Sequence, residues 1–293
     1  MEDGERDGDL THRYAELGGV RLHYVEQGEG PLVLLLHGFP EFWYTWHRLI
    51  PDLVAAGFRV VAPDQRGYNL SAKPHGIDAY EVERLIEDVV ALIGHLDAER
   101  AILVGHDWGG GPAWYVAMQH PELVDRLVIL DSPHPERFAS HIYRFPQVLK
   151  SWYMFAMRIP LVPELLFRMF RHWLPRLILT KGTLREDAYS SGDLARYQAA
   201  WSQPSVWNRT INWYRALVRR GPKGVAHLVK RTEVPCLILW GVKDEPLSHE
   251  MAEPDAELVP NHRVQKLPHA GHFPHADDPA TVHGAILDFI RPS

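Results

Sequence analysis

Short, continuous apolar runs alternate with helix-length amphipathic stretches, and this pattern constrains the fold more than any other feature of the chain. The runs are Val33–Leu36, Phe58–Ala62, Ala101–Val104, Leu127–Leu130 and Leu237–Trp240, each soon followed by Gly, Pro or Asp. A strand exposed on one face alternates apolar and polar residues. A run apolar throughout fits a strand covered on both faces, as in a parallel sheet. Between the runs, the stretch Tyr80–Leu96 sets Val82, Leu85, Ile86, Val89, Val90 and Ile93 at helical spacing. The repeated order predicts an α/β fold with a doubly wound, mostly parallel sheet. Val20–Glu26 alternates more and is expected in an antiparallel edge.

The alternation stops between about Pro135 and Gly221, where Trp, Tyr, Phe, Met and Arg are frequent. Pro146, Pro160, Pro163, Pro175 and Pro204 are expected to cut this stretch into short helices. The expected organisation is a core of residues 11–134 and 222–293 with a helical insertion at 135–221. The first ten residues are polar and expected to fray.

Composition narrows the function. The chain has 293 residues, 46% apolar and 23% charged, enough for one large folded unit and unlike a disordered or fibrous chain. Its 31 basic and 37 acidic residues give a net charge of −6, which argues against a nucleic-acid partner. One cysteine, Cys236, excludes an internal disulfide or an all-thiolate zinc site, and its apolar neighbours predict burial. No apolar stretch approaches the roughly 20 residues of a membrane span. No basic start with an apolar core resembles a secretory signal. A cytoplasmic protein without a membrane partner is expected, and nothing indicates an oligomeric state.

The segment Gly105-His106-Asp107-Trp108-Gly109-Gly110 follows a buried run and opens the expected helix Pro112–Gln119. Gly-x-Asp-x-Gly is the spacing of a nucleophile elbow with aspartate in place of serine. Its glycines permit a tight turn, and a carboxylate there also favours a helix N-terminus. Taken alone it is equally a strand–helix turn capped by a carboxylate. His37-Gly38-Phe39-Pro40 follows another strand and offers the Phe39 N–H, with that of Trp108, as an oxyanion hole; Pro40 suits a cis peptide bond. Ala270-Gly271-His272-Phe273 places a general-base candidate, His272, near the C-terminus. His269, His272 and His275 are three apart, but Gly271 and Pro274 prevent a single helical face, and no metal site is expected.

Together with Asp64-Gln65-Arg66-Gly67-Tyr68 and Trp240-Gly241-x-x-Asp244, these motifs resemble the α/β-hydrolase superfamily and, within it, the soluble epoxide hydrolases. The resemblance runs from about residue 31 to 280. It implies a helical cap where the alternation breaks, Asp107 as nucleophile, His272 as base and Asp244 as its orienting acid. Asp131 is the rival acid; similar dehalogenases carry theirs there, whereas epoxide hydrolases more often have asparagine. The resemblance also implies two cap tyrosines that hold the epoxide oxygen, Tyr153 (seven residues before Pro160) and Tyr214, with Tyr143, Tyr189 and Tyr197 as rivals. The family's glutamine before that proline is absent; Arg158 and Ile159 stand there. No cofactor is implied, and the substrate is expected to be a small apolar epoxide.

The chemistry accounts for the aspartate. A carboxylate is ionised at neutral pH and attacks saturated carbon directly, leaving an alkyl ester that activated water then hydrolyses. Two alternatives share the scaffold: a haloalkane dehalogenase, and a non-catalytic ligand-binding homologue.

Overall fold

The computed structural model describes residues 6, 7 and 9–291. Nine strands form one sheet: β1 (Arg6–Asp7), β2 (Leu10–Leu17), β3 (Val20–Gln27), β4 (Leu32–Leu36), β5 (Arg59–Pro63), β6 (Ala101–His106), β7 (Val124–Leu130), β8 (Cys236–Gly241) and β9 (His262–Leu267). Their order is β1-β2-β3-β5-β4-β6-β7-β8-β9. The first three strands and the β3–β5 pair are antiparallel, and every pairing from β5 to β9 is parallel.

Each apolar run lies in a strand. Along β4, Val33 and Leu35 face one core and Leu32, Leu34 and Leu36 the other. Helices α1 (Leu49–Ala55) and α12 (Pro279–Ile290) fill the first; α2 (Val82–His95) and α3 (Gly110–Gln119) fill the second. Because helices cover both faces, all of β4, β6 and β8 is buried.

The antiparallel part is larger than expected. Val20–Gln27 does pair antiparallel, but β2 lies outside it, seven residue pairs long. The frayed start expected for residues 1–10 falls largely outside the described residues, yet Arg6–Asp7 pairs with β2, whose first residue is Leu10. The missed signal was Gly18-Gly19, a two-residue hairpin turn with both φ angles positive, 56° and 91°.

Between β7 and β8 lies the helical insertion: α4 (Pro135–His141), α5 (Gln147–Lys150), α6 (Trp152–Ala156), α7 (Val162–Met169), α8 (Trp173–Gly182), α9 (Ser191–Trp201) and α10 (Val206–Val225). Two prolines open helices instead of cutting them: Pro163 and Pro175 sit in the first turns of α7 and α8, where backbone N–H groups have no helical partner. α10 runs past Gly221, whose φ of 63° and ψ of 174° kink it. The insertion is fastened to the sheet by buried indoles: Trp201 donates to the Pro40 carbonyl at 2.7 Å and Trp213 to that of Arg66 at 3.1 Å. A short helix, α11 (Pro274–Asp277), follows β9.

Candidate active site

The carboxyl ends of the parallel strands converge, as open α/β sheets arrange their ligand crevices. Leu36 of β4 pairs with Gly105 of β6, so the loop after β4 meets the elbow after β6. Asp107 has φ of 47°, a strained left-handed conformation for a residue with a side chain. The turn holds because its glycines admit close backbone: a Cβ on Gly109 would stand 2.2 Å from the Leu36 carbonyl oxygen, and one on Gly105 2.7 Å from that of Gly109.

The Phe39 N–H donates to Asp107 Oδ1 at 2.9 Å, and the Phe39–Pro40 bond is cis. Asp107 Oδ2 faces His272 Nε2 at 3.4 Å. On its other side, His272 Nδ1 bonds Asp244 Oδ2 at 2.8 Å. Burial alone would lower the His272 pKa, but the two carboxylates, Asp244 foremost, raise it well above the ordinary imidazole range. The imidazole thus rests protonated between two anions.

Asp244, not Asp131, contacts His272. Asp131 is nevertheless a neighbour: Asp131, Asp244 and His272 each offer a polar atom within 4.8 Å of the others. Asp131 Oδ1 accepts the Gly241 N–H at 2.9 Å, while its buried Oδ2 meets no donor. Burial and the Asp244 charge push its carboxyl well above the usual range, so it holds a proton.

The cap tyrosines meet above the elbow. Tyr153 of α6 and Tyr214 of α10 have ring centroids 6.1 Å apart, and both line a cavity of about 160 Å³ with Asp107 and Trp108. Burial, followed by nearby negative charge and, for Tyr214, the other phenol, raises both phenol pKa values, so both hydroxyls keep their protons. Part of the Tyr214 rise is offset by Trp108, whose ring stands edge-on to that of Tyr214 with centroids 4.8 Å apart. The cavity walls are mainly apolar, including Leu85, Phe138, Ile142, Met154 and Leu217. Of the rival tyrosines, Tyr189 and Tyr197 pack on each other away from the cavity, and Tyr143 is 60% exposed at its mouth.

A buried network behind the elbow escaped the sequence reading. His106 bonds Glu41 Oε2 through Nδ1 at 2.7 Å and the His272 carbonyl through Nε2 at 2.7 Å. Both ring nitrogens of His106 are therefore engaged, one by a side chain of the loop after β4 and one by the backbone of the His272 loop. The Gly38 N–H and the Thr45 hydroxyl also donate to Glu41, and Thr45 Oγ1 lies 2.7 Å from His275 Nε2. Burial would raise the Glu41 carboxyl, but its interactions with His106 and His275, hydrogen bonds included, hold it well below its usual range. Asp277 adds a second brace, accepting the N–H groups of Gly271 and Leu184, both at 2.7 Å. The loop after β4, the elbow, the His272 loop and the helical insertion are therefore tied together. The signal was present in Glu41 of His-Gly-Phe-Pro-Glu, an acid directly after an apolar loop, but its partner lies 65 positions away.

The three histidines of the C-terminal series go to different places. His269 is exposed, His272 joins Asp244, and His275 joins Glu41. Glu41, His106 and His275 bring ligand-type atoms within 4.8 Å of one another, and both His106 nitrogens are already hydrogen-bonded. Cys236 is buried on β8, and burial raises its thiol pKa.

A model described as "alpha/beta hydrolase fold" matches residues 31–169. The AB hydrolase superfamily protein YfhM of Bacillus subtilis is 39% identical over 284 residues, 95% of this chain and 97% of that protein. The chain belongs to the α/β-hydrolase superfamily. This hydrolase is also 36% identical to epoxide hydrolase 1 of Caenorhabditis elegans, over 95% of this chain and 70% of that one. A crystal structure of a mutant epoxide hydrolase from Bacillus megaterium, complexed with its naphthyloxy-propane-diol product, superposes with a TM-score of 0.87 at 32% identity, covering 95% of this chain and 99% of that one. Relatives named epoxide hydrolases are thus matched along nearly the whole of this chain.

Proposed function

We propose that this hydrolase opens small, largely apolar epoxides to vicinal diols through an ester on Asp107, with no cofactor. The observation that carries the reading is the pair of protonated phenols, Tyr153 and Tyr214, facing a carboxylate nucleophile across one apolar cavity. The relatives named epoxide hydrolases support the same class.

In the first step, Asp107 Oδ2 bonds to an epoxide carbon as that carbon's bond to the ring oxygen breaks. A tyrosine proton passes to the departing oxygen, which needs one because an alkoxide is far more basic than a phenolate. Asp107 Oδ1, already held by the Phe39 N–H, becomes the ester carbonyl oxygen. Alkylation removes the Asp107 charge and with it part of what keeps His272 protonated, and the His272 proton passes by way of solvent to the tyrosine phenolate. Neutral His272 then takes a proton from water as that water attacks the ester carbonyl carbon. The Phe39 and Trp108 N–H groups stabilise the oxyanion, and collapse releases the diol and restores the carboxylate. His272, steadied by Asp244, keeps that proton and is again the imidazolium of the resting enzyme. Asp131 stays neutral beside the acid.

A haloalkane dehalogenase would need the Trp108 indole N–H and a second donor for the halide, and Phe39 offers no side-chain donor. The test is a single turnover in ¹⁸O-water on a panel of epoxides and haloalkanes. An unlabelled diol, with label appearing in Asp107, is expected. Label in the diol on that first turnover refutes the ester. Halide release without epoxide turnover favours the dehalogenase, and no turnover of either class favours a ligand-binding role.

A further inference from the structure

The surface of this protein is unusual in one region. Every exposed large apolar side chain among the described residues lies between Tyr143 and Leu184, in the helical insertion. Phe145 is 79% exposed, Leu161 77% and Trp152 67%, and α7 and α8 add Met169 and Trp173. α7 is apolar on two sides: Pro163 and Phe167 are buried, while Leu165, Leu166 and Met169 face out. Exposed large apolar side chains gathered in one segment of the chain, rather than scattered singly over the surface, point to a binding face.

Its charge is opposite to that of the rest of the chain. Residues 143–184 hold seven basic and one acidic residue, a net +6; the whole chain is −6, so the remainder carries −12. The one acid, Glu164, is taken by Arg215. Arg144, Arg158, Arg168, Arg171, Arg176 and Lys181 are exposed and form no ion pair among the described residues. Arginines elsewhere are commonly paired, as Arg59 is with Glu26 and Arg220 with Glu81.

We propose that this face docks on the surface of an anionic lipid bilayer. Its Trp, Phe and Leu side chains would enter the headgroup–acyl boundary, and its unpaired arginines would meet the phosphates. Aromatic and aliphatic groups interleaved with arginine are the chemistry of an interfacial element, bound by apolar burial together with attraction to anionic lipid. A second copy of the chain fits less well, because a two-fold contact sets the same +6 face against itself. No helix among the described residues is long and apolar enough to cross a membrane, so the association is peripheral. The cavity over Asp107 reaches Tyr143 and Phe155, so its mouth borders the docked face. Docking rests on exposure and charge alone; entry of a lipophilic epoxide from the bilayer rests also on the proposed activity.

The test is co-sedimentation of the full chain with vesicles of phosphatidylglycerol and phosphatidylcholine, against phosphatidylcholine alone. The protein should pellet with the anionic vesicles and be released as salt rises. Arg168→Gln, Arg171→Gln and Arg176→Gln should each weaken partitioning about fivefold, and together roughly 100-fold. Trp152→Ser with Trp173→Ser should weaken it independently of salt. Circular dichroism verifies that the variants are folded. Three results overturn the proposal: wild type left in the supernatant with both vesicles, equal binding to both with no effect of the arginine changes, or a dimer in sedimentation velocity that buries this face and excludes vesicles. None of these readouts depends on turnover, so the docking and the activity fail separately.

Discussion

Two buried aspartates compete for His272, and their substitution should be strongly non-additive. Asp244 bonds His272 Nδ1 at 2.8 Å and, as the ionised member, fixes the tautomer and stabilises the imidazolium. Loss of such a charge costs on the order of 10⁴-fold in rate. In Asp244→Asn, however, Asp131 keeps its burial but loses the neighbouring anion that helps keep it protonated. It can then ionise within 4.8 Å of the partner atoms. At that separation, with an effective dielectric near 20, a unit charge stabilises the imidazolium by about 3 kcal/mol, or about 10²-fold. Asp244→Asn should therefore slow ester hydrolysis by only about 10²-fold. Asp131→Asn keeps the acceptor for Gly241 and replaces the acid's O–H with an N–H donor, so its effect should be less than about tenfold. The double variant should fall by about 10⁴-fold. The assay is decay of the ester-enzyme in quenched single turnovers, followed by mass. If Asp131→Asn alone is the slower single variant, the working charge is on Asp131. If the double variant is no slower than Asp244→Asn, there is no substitution of one acid for the other.

Removing either cap hydroxyl, by Tyr153→Phe or Tyr214→Phe, should slow alkylation by an epoxide about 10- to 1000-fold with little change in stability; stopped-flow alkylation at normal speed would dismiss the pair. His272→Gln should accumulate the ester-enzyme, seen as a mass increase equal to the substrate, and a variant that turns over normally contradicts the assigned base. Because His272 lies between two carboxylates until Asp107 is esterified, its titration by NMR in the free enzyme should lie at higher pH than the midpoint of ester hydrolysis; coincident values would count against that switch. Glu41→Gln breaks a buried ion pair and should destabilise by about 3–5 kcal/mol at neutral pH. The Glu41 carboxyl is depressed on folding, so its contribution is full above the ordinary value near about 4.3 and is lost as pH falls through the folded value. Urea unfolding should accordingly show the gap between wild type and variant closing in acid, and a gap constant with pH would rule this out.

Local chemistry made much of this protein readable in one dimension. Strand runs such as Val33–Leu36 are apolar on every residue because helices cover both faces of the sheet, and period alone reveals that. The elbow at Asp107 and the cis bond before Pro40 announced themselves because few residue types tolerate such turns. The hairpin of β2 and β3 was equally legible in Gly18-Gly19, but its strand alternates weakly and was overlooked. Tertiary structure alone decided the rest, because burial and pairing depend on strands distant in sequence. Only the register of β7 and β8 sets Asp131 beside Asp244, which makes one a charged partner of His272 and the other a neutral acid. Only the fold joins Glu41 to His106 and His275, turning three unremarkable polar residues into a buried brace. The cap shows the same limit from the other side: its aromatic residues read alike in sequence, yet Tyr153 and Tyr214 face the cavity while Trp152 and Phe145 face out. A helix records in its sequence that it has an apolar face, whereas what that face meets is settled by the chain folded around it.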